Sequence, residues 1–499
     1  MSTIDRLREL MRNNRGAQTP GQPPAAARGG ERPRPRTEPS DDGVSRSVGG
    51  GGTLRELTYE PVDEAGQPMP SRDEAPALPG ASILETPLGR CIHVDYVFEA
   101  DRLYGQVRVE DGCVSPADVI GFCEAQALAR DAGGADAGAS GGYWAGAGLS
   151  LQQDLGVLEA DGPVMFLDLE TTGLSGGAGT VAFLVGIGFF ENGAFRTRQF
   201  LLPGFASERA LLHAVAECLG DAGCLVTYNG KTFDLPVMET RWLFHRQPLA
   251  WTDLTHLDML HVSRRLWRAR GDDPEASCRL VFLERDLFGV ERVGDVPGIE
   301  IPGRYFDYIR YGNAELLEPV LHHNRLDLLS LALLTARAIR LIREAVAERS
   351  PIITNPQERL AVGRELMRLH QRGAAEACFR SVAECATAPD TVRAEALYSW
   401  ARLLRRARRH QEAADVWLRL AASRTVRAVL RAEAQEALAI HHEHRDRDLE
   451  KAHQWATGAL ISGAGVRHRT AVTHRLARLR QKITVQKESG PETASYLPW

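Results

Sequence analysis

The feature that most limits what this chain can fold into is the run Val164-Met-Phe-Leu-Asp-Leu-Glu-Thr-Thr-Gly. Its apolar opening reads as a short buried β-strand. Along a strand, residues i and i+2 point to the same face, so Asp168 and Glu170 project together near the end of a central strand. Two ionised carboxylates on one face repel each other. Taken out of water, they must be paired, share a proton or bind a cation. Hard divalent metals prefer such oxygen ligands. A plain strand end in solvent is the alternative, and the apolar run ahead of the acids argues against full exposure.

The surrounding sequence supplies the rest of a sheet. Val181 to Phe190 reads as a second strand, and Phe195 to Leu202 as a third after an Asn192-Gly193 hairpin turn. Ser207 to Leu219 has helical spacing with Ser207 as the expected N-cap. Cys224-Leu-Val-Thr-Tyr is a fourth strand, a helix follows around residues 233–245, and His256-Leu-Asp-Met is a fifth strand. Hairpin-linked strands followed by alternating helix and strand predict an α/β fold, a mixed five-stranded sheet flanked by helices.

Around this segment the 499-residue chain changes texture several times. Residues 1–80 are rich in Pro, Gly, Arg and Ser and read as disordered, with a short helix at the very start. Residues 81–130 alternate in short runs, as in Cys91-Ile-His-Val-Asp-Tyr-Val-Phe, and predict a small β-rich element. Residues 131–155 are a Gly/Ala-rich linker, 156–346 carry the α/β domain, and 357–485 turn wholly helical. In that last part Phe379, Trp417 and Trp455 recur every 38 residues, each after a similar segment (Ala374-Ala-Glu-Ala, Glu412-Ala-Ala-Asp, Glu450-Lys-Ala-His). Such self-similarity predicts a solenoid of helical hairpins resembling tetratricopeptide repeats.

The net charge of −5 gives no sign of a nucleic-acid binder, but charge acts where it is concentrated, and residues 393–480 are rich in arginine. Lys231 is the only lysine before Lys451. The eight cysteines form no C-x-x-C pair, which removes support for zinc-ribbon and thioredoxin readings and fits a reducing cytoplasm. The N-terminus lacks an apolar signal segment, and no run of 18 apolar residues offers a membrane span.

Two further acids stand in telling settings. Tyr228-Asn-Gly-Lys-Thr-Phe-Asp places Asp234 just past a glycine turn that opens a helix. His322-His-Asn-Arg-Leu-Asp places Asp327 on a helix with an apolar continuation. Taken together, D-x-E-T-T-G, N-G-x-x-F-D and H-N-x-x-D resemble the three motifs of DEDD-family exonucleases in the ribonuclease H-like superfamily. Residues 160–340 resemble, more closely, the bacterial YprB-like ribonuclease H-like domain proteins; Leu257-Asp-Met-Leu-His, Glu291-Arg-Val-Gly-Asp-Val-Pro-Gly and Tyr305-Phe-Asp-Tyr extend the likeness. The tetratricopeptide-like tail fits such proteins too.

The resemblance implies a metal-dependent 3′–5′ exonuclease in which Asp168, Glu170, Asp234 and Asp327 hold two Mg²⁺ or Mn²⁺ ions. A pair of ions about 3.5–4 Å apart can stabilise the attacking and leaving oxygens of a phosphodiester displacement. A histidine would take the proton of the attacking water. The spacing of one exonuclease subclass selects His322, and that of the other His323; the YprB-like spacing favours His323. Thr171, Thr172 and Leu174 would lie over the 3′-terminal nucleotide. Asn229 stands five residues before Asp234, where the widest exonuclease pattern has four, so no role carries over to it.

Lys231, in the turn beside Asp234, is a candidate phosphate contact by its scarcity and place. Asp258 reads as a structural strand end. Gly173-Leu-Ser-Gly-Gly-Ala-Gly-Thr lacks G-K-[ST] and reads as a mobile turn, not a phosphate loop. His441-His-Glu-His falls at an inter-helix turn and reads as a solvated face. The partners expected are a nucleic acid with a single-stranded 3′ end and a protein held by the repeats, with no membrane. A structure-specific endonuclease and a catalytically silent scaffold stay open.

Overall fold

The computed structural model describes residues 78–131, 162–173, 179–268, 278–347, 353–423, 425–463 and 466–488. Residues 1–77 of the stretch expected to be disordered, with the short helix expected there, residues 132–155 of the expected linker, and residues 174–178 of the expected glycine-rich turn, Leu174 among them, lie outside these residues.

Among the described residues the sheet is mixed and has seven strands, in the order β1 (Ala81–Thr86), β2 (Gly89–Phe98), β7 (Ala194–Leu201), β6 (Ala182–Glu191), β5 (Val164–Thr171), β8 (Cys224–Thr227) and β9 (His256–Asp258). The five expected strands are β5 (Val164–Thr171), β6 (Ala182–Glu191), β7 (Ala194–Leu201), β8 (Cys224–Thr227) and β9 (His256–Asp258). β5, β6 and β7 run antiparallel; β8 and β9 continue the sheet parallel to β5. Asn192 and Gly193 both take positive φ, as a two-residue hairpin turn demands. The two additional strands, β1 (Ala81–Thr86) and β2 (Gly89–Phe98), come from the segment expected to form a small β element. Without them β7 would expose a row of unpaired backbone groups. The alternating run in β2 pairs with it over Ile92–Phe98. β3 (Leu103–Tyr104) and β4 (Val107–Arg108) form a separate small hairpin.

Helices cover both faces. On one side α1 (Pro116–Asp131) and the long α7 (Glu318–Val346) close a core with Val164, Phe166 and Leu329. On the other, α2 (Glu208–Leu219), α3 (Asp234–Phe244) and α6 (Ile301–Tyr311) close a second core with Leu167, Leu211 and Trp242. Ser207 precedes α2, yet its side chain makes no capping bond. α4 (Met259–Leu266) and α5 (Leu280–Phe288) complete this part.

Beyond residue 353 the described chain is a run of helical hairpins: α8 (Pro356–Arg368) with α9 (Arg372–Glu384), α10 (Asp390–Arg406) with α11 (His410–Ala422), and α12 (Ala428–His441) with α13 (Leu449–Ile461). A last helix, α14 (Val466–Glu488), packs on α13. Phe379, Trp417 and Trp455 sit in the second helix of successive hairpins, so the 38-residue period is that of a packing unit. Phe379 fills space left by Gly363, where a Cβ would stand 2.7 Å from its ring.

The turn after α12 departs from the expectation of a solvated face. Glu443 is buried and accepts from Arg475 Nη1 (2.7 Å), Arg478 Nη2 (2.8 Å) and Lys482 Nζ (2.9 Å). These cations lie on α14, 32 to 39 residues further along the chain. All eight cysteines are free thiols. No described helix is long and apolar enough to cross a membrane.

Candidate active site

Side-chain parity along β5 decides where the acids point. Val164 and Phe166 enter the core under α7, whereas Met165, Leu167 and Leu169 enter the core under α2. Asp168 and Glu170 share the parity of Val164 and Phe166. They therefore face α7, the helix that carries His323, Asn324 and Asp327. A β-bulge falls between Glu170 and Thr171, the kind of irregularity that re-aims side chains beside functional sites.

Asp168 is held from behind. Gly186 lies opposite it on β6, and a Cβ there would stand 2.1 Å from Asn324 Oδ1. The bare backbone lets Asn324 descend onto the sheet and donate from Nδ2 to Asp168 Oδ2 at 2.8 Å. Gln199 Nε2 donates to Asn324 Oδ1 at 2.8 Å, and Arg325 Nε donates to Gln199 Oε1 at 2.8 Å. Asn324, Gln199 and Arg325 are all buried. Satisfied networks of this kind lock rotamers.

α7 begins at Glu318, ahead of both candidate histidines. Residues four apart on a helix lie about 40° apart and residues five apart about 140°. His323 accordingly stands over Asp327, with Nε2 3.5 Å from Asp327 Oδ2, while His322 is exposed. His323 Nδ1 lies 2.8 Å from Asp295 Oδ1. Arg292 completes this side. It donates to Glu284 through Nε (2.6 Å) and Nη2 (2.9 Å), to Asp295 through Nη1 (3.1 Å), and to Asp327 Oδ1 through Nη2. Glu284, fully buried, is also bonded by Tyr104 and Ser330.

Asp234 opens α3 and is buried. The turn before it is pinned by Asp258, whose carboxylate accepts from Asn229 N (2.9 Å) and Lys231 N (3.1 Å). The same carboxylate caps α4 through Leu260 N at 3.0 Å. Asp258 thus has the structural role expected at a strand end. Asn229 takes a left-handed φ of 66° in that turn. Lys231 is exposed, and among the described residues it makes no bond to the four acids. Its charge bears on His256, whose pKa is pushed down to about 4 by burial first and Lys231 second. Thr171 donates from Oγ1 to Gly173 O (2.8 Å), and Thr172 Oγ1 accepts from Val181 N (3.1 Å), so both hydroxyls tie the loop after β5.

The acids feel one another. Burial first, then the charges of Asp327 and Asp234, drive the Asp168 pKa well above the carboxylate range, against the pull of His323 and Asn324. Glu170 rises for the same reasons: burial, then Asp168, Asp327 and Asp234. Asp234 is pushed up to about 7, chiefly by burial, although backbone N–H groups oppose it. Burial also works to lower His323, yet Asp327 and Asp295 together raise it.

Such a donor set suits a hard divalent cation. Its oxygens are close enough to repel, and a cation would relieve both the repulsion and the desolvation. Among the described residues, no three such side chains already enclose an ion-sized site. Asp327 is turned to Arg292 and His323, and Asp168 to Asn324.

A family model described as RNase_H superfamily matches residues 165–339. The chain is 32% identical over 325 residues to "Uncharacterized protein YprB" of Bacillus subtilis (strain 168), an alignment covering 64% of this chain and 75% of that protein. The chain belongs to the YprB family of ribonuclease H-like proteins. Among solved structures, the family B DNA polymerase from the hyperthermophilic archaeon Pyrobaculum calidifontis aligns at 12% identity and a TM-score of 0.30, over 49% of this chain and 29% of the polymerase.

Three site residues of this YprB-family chain escape a reading of single motifs. Arg292 and Asp295 lie in Glu291-Arg-Val-Gly-Asp, a stretch that carries family likeness but no periodic signal. Asn324 sits inside the H-N-x-x-D motif, yet its task depends on Gly186, 138 positions earlier. The available signal was the glycine itself: a Gly inside an apolar strand marks a close backbone approach.

Proposed function

We propose that this chain is a metal-dependent nuclease, a 3′–5′ exonuclease that hydrolyses phosphodiester bonds of single-stranded or frayed nucleic acid. One observation carries the reading: Asp168 and Glu170 lie on the sheet face that meets α7, and beyond their burial the charges of Asp327 and Asp234 raise the pKa of both. A purely structural domain gains nothing from acids aimed at each other.

Asp168, Glu170, Asp234 and Asp327 would hold two Mg²⁺ or Mn²⁺ ions. When bound, such ions supply an acidified water and a positive field for the attacking and leaving oxygens. The rest falls to the chain's own side chains. Asn324 and Gly186 fix the rotamer of Asp168. Asp295 accepts from His323 Nδ1, which leaves Nε2 as the proton acceptor beside Asp327. Arg292 anchors Asp295 and Asp327 to the buried Glu284. Thr171, Thr172 and Leu174 would line the 3′-terminal nucleotide, and Lys231 would contact a phosphate. The tetratricopeptide-like hairpins would recruit a protein partner, in the cytoplasm.

A catalytically silent scaffold is the second reading, favoured by the Arg292–Asp327 ion pair, which places a resident cation on one of the four acids. An assay of single-stranded and duplex DNA and RNA with Mg²⁺ or Mn²⁺ separates them, comparing wild type with Asp168→Ala. Metal-dependent cleavage lost in the variant supports the nuclease. Equal degradation by both proteins points to contamination and sinks it. Stepwise shortening from the 3′ end distinguishes an exonuclease from a structure-specific endonuclease.

A further inference from the structure

An open groove of about 820 Å³ runs between α4 and α5 of the ribonuclease H-like part and the first helical hairpins. Among the described residues, six arginines line it against three carboxylates, in a chain whose net charge is −5. The excess along these described residues is local.

The carboxylates of the groove are shared among several donors. Arg364 and Arg427 share the single carboxylate of Glu395, at 2.7 and 2.9 Å. Arg337 bonds Glu358 at 3.0 Å, and Trp267 Nε1 donates to the same carboxylate at 2.8 Å. Arg264 is exposed, and among the described residues no carboxylate pairs with it. Arg427 is 65% exposed and Arg364 39%, so a phosphate oxygen can reach either guanidinium without unburying it.

The groove also stands in the right place. Arg337 follows Asp327 by ten residues on α7, about 15 Å along the helix. α4, which carries Arg264, starts at the residue after Asp258, the acid that pins the Asp234 turn. The partly buried Trp267 ring lines the same wall. Guanidiniums to follow the backbone and an aromatic face for bases are the combination by which single strands are held without sequence preference.

We propose that this groove binds the backbone of a single-stranded nucleic acid a few nucleotides from the reacting bond. The placement of the reacting bond rests on the nuclease reading; the binding itself does not.

The test uses the full chain in EDTA, a short fluorescent single strand, and anisotropy titrations at several salt concentrations. The variant Arg264→Gln/Arg427→Gln removes two exposed charges and leaves Glu395 paired with Arg364. Its affinity is expected to fall roughly 10-fold near 0.1 M salt, with a log–log salt slope shallower by about 1.4, or ~0.7 per lost contact. Trp267→Leu is expected to weaken binding about 5-fold or more with the slope unchanged. Arg90→Gln, on the β1–β2 edge, should alter neither.

The proposal falls if the double variant binds with wild-type affinity and slope, if Arg90→Gln has the same effect, if wild type binds no strand, or if duplex of the same sequence binds more tightly. Cleavage is measured separately with Mn²⁺. Groove-dependent binding without cleavage sinks only the nuclease reading. Cleavage with unchanged binding in the double variant sinks only the groove.

Discussion

Two acidic centres in this molecule are built on opposite principles. Beside β5, burial and then the charges of neighbouring acids, Asp327 and Asp234 among them, lift the pKa values of Asp168 and Glu170, while burial chiefly lifts that of Asp234. After α12, Glu443 is just as well enclosed, yet Lys482, Arg478 and Arg475 overcome its burial and hold it down at about 2. The second centre supplies its own cations and is complete as folded. The first lacks enough of them, since Arg292 serves Glu284, Asp295 and Asp327, and His323 serves Asp295 and Asp327. Self-sufficient charge is a mark of architecture, and mutually opposed charge is a mark of a site for something positive.

The largest expected difference between the two is in activity. Asp168→Ala should lower metal-dependent cleavage about 10³-fold, whereas Glu443→Gln should leave the rate per folded molecule unchanged. A cleavage assay on both variants, normalised to folded protein, breaks the comparison if the order is reversed. Gly186→Ala comes next. Its Cβ would meet Asn324 Oδ1 at 2.1 Å and push the asparagine off Asp168. A displacement of that size should reduce kcat about 100-fold with little change in KM, and steady-state kinetics would detect it.

Stability should show the reverse ranking. Glu443→Gln strands three cations around a neutral amide and should cost about 1–3 kcal/mol, less than a fully buried broken pair because Arg478 and Lys482 reach solvent. Urea unfolding measures it. In EDTA, Asp234→Asn should instead raise the Tm by a few degrees at neutral pH.

The pH dependences of the two acids have opposite signs. Glu443, depressed in the fold from 4.5 to about 2, contributes stability above pH 4.5 that is lost as pH falls toward 2. Asp234, raised from 3.8 to about 7, costs stability that builds as pH rises between those values. The gain from Asp234→Asn should therefore vanish below pH 3.8. Mn²⁺ should raise the Tm of wild type by mass action but not that of Asp168→Asn. Thermal melts across pH, with and without metal, would expose an error in either sign.

Much of this was legible in the chain because it is local. Strand parity put Asp168 and Glu170 on one face before any partner was known. The 38-residue recurrence of Phe379, Trp417 and Trp455 announced a repeated packing unit. Helix geometry separated His323 from His322 once α7 was seen to start at Glu318. The addition of β1 and β2 to the sheet was not legible, because an alternating strand does not name the edge it will pair with. Nor was the burial of Glu443, since a charged turn becomes an interior only when α14 lays its cations across it.

The sequence by itself determined which faces carry acid, which carry core, and where the helical period replaces the strand period. Those properties depend on residues within a turn or a few strand positions of one another. Tertiary structure alone decided that Asn324 would reach Asp168 through the gap at Gly186, and that Arg292 would join Glu284, Asp295 and Asp327. These contacts bring together residues far apart in the chain. Their geometry is set by how α7 lies on the sheet, and no local pattern specifies that.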